Sequence, residues 1–213
     1  MPKAKFGSLA NHRFFIFSIS LLLLLLVYPL HSQTCELLQA VRSTVNEAKP
    51  FSVEFTQQVF YDQELSIEES GLIKFKDIKT MRWEYQDPDT KIAVINNDDY
   101  KFYEEDINQL TVGKINANNK KWIWQLLFAD ELIDTVRCDN EKRIIYIKDR
   151  DAGMDFEVYV DKENLLSKVV HLDPTGALNI YLFKQYKKNI EIKPGDFDIT
   201  VPDDAEVVHA EDL

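Results

Sequence analysis

"FSVEFTQQVFY" (51–61) decides the fold. Its odd positions are Phe51, Val53, Phe55, Gln57, Val59 and Tyr61, and its even positions are mostly polar. A period of two sends successive side chains to opposite faces, so the stretch reads as a strand with one apolar face. "ELSIEESGLIKFK" (64–76) repeats the alternation with Leu65, Ile67, Glu69, Gly71, Ile73 and Phe75. "MRWEY" (81–85) continues it, with Met81, Trp83 and Tyr85 on one side and Arg82 and Glu84 on the other. Three successive strands with one apolar parity predict a sheet with one face turned away from water. Its aromatic bulk suits either a filled core or the lining of a site for a greasy ligand.

Further extended segments follow: "KIAVIN", "YKFYE", "QLTVG", "RIIYIKD", "MDFEVYVD", "LLSKVVHLD" and "ALNIYLFKQYKK". Turn signals such as "NNDD", "DAG" and "DPTG" separate several of them. About ten short strands in succession predict a meandering antiparallel sheet, curled or partly closed. Near the end, Phe197, Ile199 and Val201 alternate and predict a last strand before Pro202.

Two segments break the period of two. "TCELLQAVRSTVNEAKP" (34–50) has Leu37, Leu38, Val41 and Val45 at helical spacing, with Thr34 as a cap and Pro50 as the stop. "NNKKWIWQLLFAD" (118–130) crowds Trp122, Ile123, Trp124, Leu126, Leu127 and Phe128 together. That is too apolar for a surface helix with one buried stripe. It is either buried on two sides or the cover of something removable.

The first residues read as an export leader. Lys3, Lys5 and Arg13 flank the apolar run Phe14–Tyr28, then Pro29 and "LHSQT" follow. The run is shorter than the ~20 residues a membrane-spanning helix needs, so cleavage near Ser32 is expected. Cys35 follows this zone, but Ser32, Gln33 and Thr34 fit a lipidation signal poorly. The expected organisation is a leader over 1–32 and one domain over 33–213, with about 180 residues for a sizeable core. The chain carries 25 Lys+Arg against 36 Asp+Glu, a formal charge of −11, and the basic leader makes the remainder more acidic still. Nucleic acid and anionic lipid surfaces call for basic patches, so neither is expected as a partner. Cys35 and Cys138 are the two cysteines; in an oxidising compartment they can pair or stay as thiols, and the sequence does not give their distance.

Catalytic signals are weak. Beyond the leader the histidines are His171 and His209, far apart, and no His/Cys/Asp cluster has metal-ligand spacing. There is no Gly-rich phosphate loop and no nucleophile elbow. Neither an enzyme nor a cofactor is expected.

The order of parts resembles the outer-membrane lipoprotein carrier (LolA-like) family of Gram-negative bacteria, as a divergent member. Phe55-Thr56-Gln57, Arg82-Trp83-Glu84-Tyr85 with Pro88, and the Phe197 to Pro202 ending carry the likeness jointly. It spans the chain from about Thr34 to Val208. The resemblance implies a curved, antiparallel, incomplete β-barrel of about eleven strands, with helices as a lid over its concave face. It implies a monomeric periplasmic carrier of lipoprotein acyl chains, loaded by an inner-membrane ABC transporter and emptied by an outer-membrane acceptor. Alternatives are the acceptor lipoprotein of that pathway or a lipid-binding sensor module. The expected acyl cavity is lined by Val53, Phe55, Val59, Ile73, Phe75, Met81, Trp83 and Tyr85 on the sheet, and by Trp122, Ile123, Leu126 and Leu127 above it. Where the family often has a basic residue and then Pro before the "RW" strand, this chain has Asp77-Ile78 between Lys76 and Lys79. Asp98-Asp99 stands where the family commonly has "DG".

Overall fold

A computed structural model describes residues 35–115, 123–150 and 154–210. The leader lies outside the described residues. Helix α1 (Glu36–Ala48) opens the described chain and buries Leu37, Leu38, Val41, Val45 and Ala48. These fall at the 3.6-residue period, so one stripe of the helix faces the core. Cys35, not Thr34, is the N-cap: its Sγ accepts from the Leu38 N–H at 3.3 Å. The helix ends before Pro50, which has no N–H to continue it.

Twelve strands form one sheet: β1 (Phe51–Tyr61), β2 (Glu64–Asp77), β3 (Thr80–Asp87), β4 (Lys91–Asn96), β5 (Asp99–Glu104), β6 (Gln109–Lys114), β7 (Ile133–Asp139), β8 (Ile144–Asp149), β9 (Asp155–Val160), β10 (Leu166–Leu172), β11 (Leu178–Lys187) and β12 (Glu206–His209). Their order is β12-β6-β5-β4-β3-β2-β1-β11-β10-β9-β8-β7. Neighbours pair antiparallel throughout, except that β12 runs parallel to β6. The result is the expected curved, incomplete barrel, open between β12 and β7. A tight turn through Asp62 and Gln63, both at positive φ, joins β1 to β2. This is the backbone twist a two-residue hairpin needs.

Three elements differ from the sequence reading. β7 was not among the expected strands: "IDTVRCD" lacks apolar alternation because it is an edge strand, largely exposed. The described part of the apolar segment around residue 124 forms α2 (Ile123–Phe128), followed by a 3-10 turn at Asp130–Leu132. The last strand is Glu206–His209, and Phe197, Ile199 and Val201 lie in a non-strand stretch. That stretch runs across the back of the sheet instead of along it. Lys74 of β2 pairs with Asp196 at 2.6 Å, Arg82 of β3 donates to the Asp198 carbonyl at 2.8 Å, and Asn108 donates to Asp204 at 3.3 Å. A segment crossing several strands cannot pair with any of them, so its alternation serves packing.

Gly71 marks the closest approach within the sheet. A Cβ at this position would stand 1.9 Å from the Glu84 carbonyl oxygen, which belongs to the backbone of β3 and cannot swing aside. Gly71→Ala should therefore destabilise the fold by about 2–4 kcal/mol, more than an ordinary exposed strand substitution. Chemical denaturation measures this; a midpoint within error of the parent would show that β2 and β3 can part at no cost.

Candidate functional site

The register sorts the concave face into rows. One row runs Tyr100–Ile95–Met81–Phe75–Phe51, and the next Phe102–Ala93–Trp83–Ile73–Val53. A third places Lys91, Tyr85, Gly71, Phe55 and Phe183 side by side. A fourth joins Glu69, Gln57, Tyr181 and Val169, and a fifth Ile67, Val59, Asn179 and His171.

The first two rows form an apolar floor, and the helices sit on it. Trp124 of α2, fully buried, meets the rings of Phe51 at 5.6 Å, Phe75 at 5.5 Å and Phe183 at 5.9 Å. Phe51 stacks on Phe75 at 4.9 Å, and Phe55 meets Trp83 edge-on at 5.1 Å. Offset and edge-on ring pairs of this kind add to the stabilisation from burial alone. Val53, Phe55, Ile73, Phe75, Met81 and Trp83 come together with Ile123, Leu126 and Leu127 in one buried cluster, and Tyr85 is half-buried against it. Val59 is buried but stands outside that cluster. Trp122 lies outside the described residues.

Period-two reading of "FSVEFTQ" and "MRWEY" found β1–β3 but missed the rest of the floor. Ala93, Ile95, Tyr100 and Phe102 complete it from β4 and β5, and Tyr181 and Phe183 from β11. Their parity was visible; their register with β1 was not. Arg82 and Glu84 do lie on the opposite face, but they pair along one strand at 2.8 Å, not across strands. Burial raises the Glu84 carboxyl, and Arg82 and Gln86 more than offset that and leave it below the ordinary range.

The two helices are held differently. Cys35 at the start of α1 is joined by a disulfide to Cys138 on β7, with Cα atoms 5.5 Å apart. Its other end is tied by the Asn189 N–H to the Ala48 carbonyl and the Ile190 N–H to the Pro50 carbonyl, both at 2.9 Å. α2 is a short helix that touches α1 through Arg42. The Arg42 Nε donates to the Leu127 carbonyl at 2.6 Å, and its guanidinium pairs with Asp130. Arginine thus satisfies a carbonyl at the end of α2 that the helix itself leaves unpaired. The neighbouring guanidinium holds the Asp130 carboxyl below its ordinary value. Asp130 is largely exposed, so the ion pair is worth little to stability. The Trp124 indole N–H is buried with no hydrogen-bond partner among the described residues. Such a group costs about 1–3 kcal/mol.

Beside the apolar floor the inward residues turn polar. Lys91 pairs with Glu69 at 2.6 Å, the Tyr85 hydroxyl donates to Gln57 Oε1 at 3.0 Å, and the Gln57 amide reaches Asn179 at 3.4 Å. Gln57 thus bonds side chains within this row and its neighbours. Burial, with Tyr181 and Glu69 nearby, pushes the Tyr85 phenol well up, and burial with Glu69 and Asp173 pushes Tyr181 to about 12. Both stay protonated donors at neutral pH. The His171 ring lies between Phe156 at 5.0 Å and Tyr181 at 6.1 Å, and burial lowers its pKa. Among the described residues no cluster of His, Cys, Asp or Glu could hold a metal ion.

A depressed histidine makes stability depend on pH. Above the ordinary value near 6.5 the ring is neutral in both states. As pH falls from that value towards the lowered folded pKa, the unfolded chain takes up a proton before the folded one, and stability is lost. His171→Phe should therefore lose less melting temperature than the parent between about pH 7 and pH 5. An equal loss in both would remove His171 from the acid response.

Comparison with known proteins places this architecture. Residues 46–200 match the family described as "Outer membrane lipoprotein carrier protein LolA". An outer-membrane lipoprotein carrier protein of Pseudoalteromonas translucida is 22% identical over 180 residues, covering 79% of this chain and 85% of that protein. Another, of Alkalilimnicola ehrlichii, is 25% identical over 162 residues, covering 73% and 76%. Among solved structures, an uncharacterised conserved protein of Thermus thermophilus superposes with a TM-score of 0.50 at 15% identity, over 82% of this chain and 97% of that one. A LolA-superfamily protein of Nitrosomonas europaea gives 0.46 at 7% identity, over 76% and 97%. With the family matched over most of its length, the chain belongs to the outer-membrane lipoprotein carrier (LolA) family.

Proposed function

We propose that this protein is a periplasmic carrier that takes lipoprotein acyl chains onto the apolar floor of its sheet and moves them from the inner to the outer membrane. It would receive them from an inner-membrane ABC transporter and give them up to an outer-membrane acceptor. The family membership supports the class of function. The observation that carries the reading is a largely apolar concave floor covered by the apolar side chains of α2. A buried CH₂ is worth about 0.8 kcal/mol, so a long acyl chain in water costs on the order of 10 kcal/mol. A soluble carrier must offset that with equivalent apolar surface. In the closed arrangement the side chains of α2 occupy this surface themselves. Acyl chains would replace Trp124, Leu126 and Leu127 on it, so the apolar area stays dry in both states. The exchange is then between two occupants of one surface, which makes loading and release reversible.

Arg42 is the latch in this scheme, reaching from α1, which is anchored at both ends, to the end of α2. The unpaired indole N–H of Trp124 biases the cover toward leaving, since displacement lets it meet water or an ester carbonyl. Met81, flexible at its thioether, lets the floor adapt to chains of different length.

Stopped-flow uptake of a fluorescent fatty acid tests the reading. The parent protein should bind it, and Arg42→Met should speed uptake by about tenfold, equivalent to about 1.4 kcal/mol off the opening barrier. Trp83→Glu, confirmed folded by circular dichroism, should weaken binding by more than about tenfold through a charge on the floor. If neither the parent nor Arg42→Met takes up the acyl probe, the protein is not an acyl carrier.

A further inference from the structure

The hairpins β1–β2 and β10–β11 lie side by side, because β1 pairs with β11. Their ends share one row on the back of the sheet: Leu65 stands opposite Phe60, Phe60 opposite Leu178, and Leu178 opposite Leu172. A register shift between Val59 and Phe60 is what brings Leu65 into this row. Ile180 and Val170, both half-buried, pair with each other in the next back row. On the front of the same ends, Tyr61 and Ile67 are exposed as well. Leu172 and Leu65 keep 58% and 50% of their exposure. Of the eight large hydrophobic residues exposed among the described ones, five belong to these two hairpin ends: Tyr61, Leu65, Ile67, Leu172 and Leu178. Scattered exposed apolar residues are ordinary, but a contiguous group on neighbouring strands marks a contact surface. None of the five belongs to the buried cluster beneath α1 and α2. The charges around them have one sign. Asp62 and Glu64 stand at the first turn, Asp173 at the second, and Glu68 beside Ile67. No Lys or Arg occurs in 51–73 or in 169–183.

We propose that the joined ends of the β1–β2 and β10–β11 hairpins are a docking surface for a protein segment that presents an apolar strip edged by Lys or Arg. The acids decide between the possible occupants. A lipid bilayer would have to take up Asp62, Glu64 and Asp173 first, because they stand in the turns at the tips, and an anionic bilayer would repel them as well. A second copy would set the same acids against one another in a two-fold contact. A basic-edged segment pairs with them instead. Its apolar strip covers the leucine row, and its charges speed and orient the encounter. The surface lies apart from the apolar floor, so it does not depend on the carrier reading.

Fluorescence anisotropy with two labelled helical peptides tests this. Both carry the same strip of leucines; one is edged by lysine and the other by glutamate. The parent protein should bind the lysine-edged peptide at least about tenfold more tightly than the other. Leu65→Gln combined with Leu172→Gln replaces two exposed side chains, so the melting temperature should hold while binding of the lysine-edged peptide weakens by at least about tenfold. Asp62→Asn combined with Glu64→Gln should bring the preference for the lysine edge towards unity. Trp83→Glu, on the floor, should bind the peptide as the parent does. Equal binding of the two peptides, an affinity unchanged in the leucine variant, or loss of binding in folded Trp83→Glu overturns the proposal. So does a dimer in sedimentation that the leucine variant makes monomeric, which identifies a second copy. Flotation with phosphatidylcholine vesicles that the same variant abolishes identifies a bilayer and overturns it too. Uptake of the acyl probe is read separately, so failure of this surface leaves the carrier reading standing.

Discussion

An open, curved sheet with one apolar face must have that face covered. Rows such as Met81–Phe75–Phe51 and Trp83–Ile73–Val53 would otherwise meet water across several strands, and burial of such side chains is the main favourable term in folding. The rest of the described molecule answers this constraint. α1 and α2 fill the concavity, with Trp124 the largest fully buried side chain among them. A closed barrel would have filled its interior from its own strands; an open one needs a cover.

The two faces are treated differently. The back is crossed by the segment after β11, secured by Lys74–Asp196 and by the bond from Arg82 to the Asp198 carbonyl before β12 joins β6. That covering is continuous with the sheet. The front covering has two parts: α1 is bound covalently to edge strand β7 and tied at its far end to the segment after β11, whereas α2 shares the buried cluster and is bonded to α1 through Arg42. A disulfide closing so long a loop stabilises by about 2–5 kcal/mol, far more than the exposed Arg42–Asp130 pair. The basic contact at the end of α2 comes from Arg42 of α1.

A polar band crosses the concave side of β1–β4, β10 and β11. Gln57 bonds Tyr85, Tyr181 and Asn179, and Lys91 pairs with Glu69, so the charges of that pair balance. A band of this kind separates the helix-covered floor from Val59 and Ile67 beyond it.

Much of this was legible in the chain. Alternation in "FSVEFTQQVFY" and "MRWEY" named the strands and their inward residues, and Leu37, Leu38, Val41 and Val45 named the buried stripe of α1, because both patterns are local consequences of backbone geometry. Edge strand β7 escaped notice because an exposed edge needs no apolar period. The alternating Phe197, Ile199 and Val201 suggested a strand where the chain crosses the sheet, because alternation marks a buried side and not a pairing partner. Which strands lie side by side is a long-range property. Only the tertiary structure decided that β11 pairs with β1, bringing Tyr181 and Asn179 to Gln57, that Arg42 meets Leu127, and that Cys35 meets Cys138. These contacts join residues far apart in the chain, and no local periodicity encodes the register that brings them together.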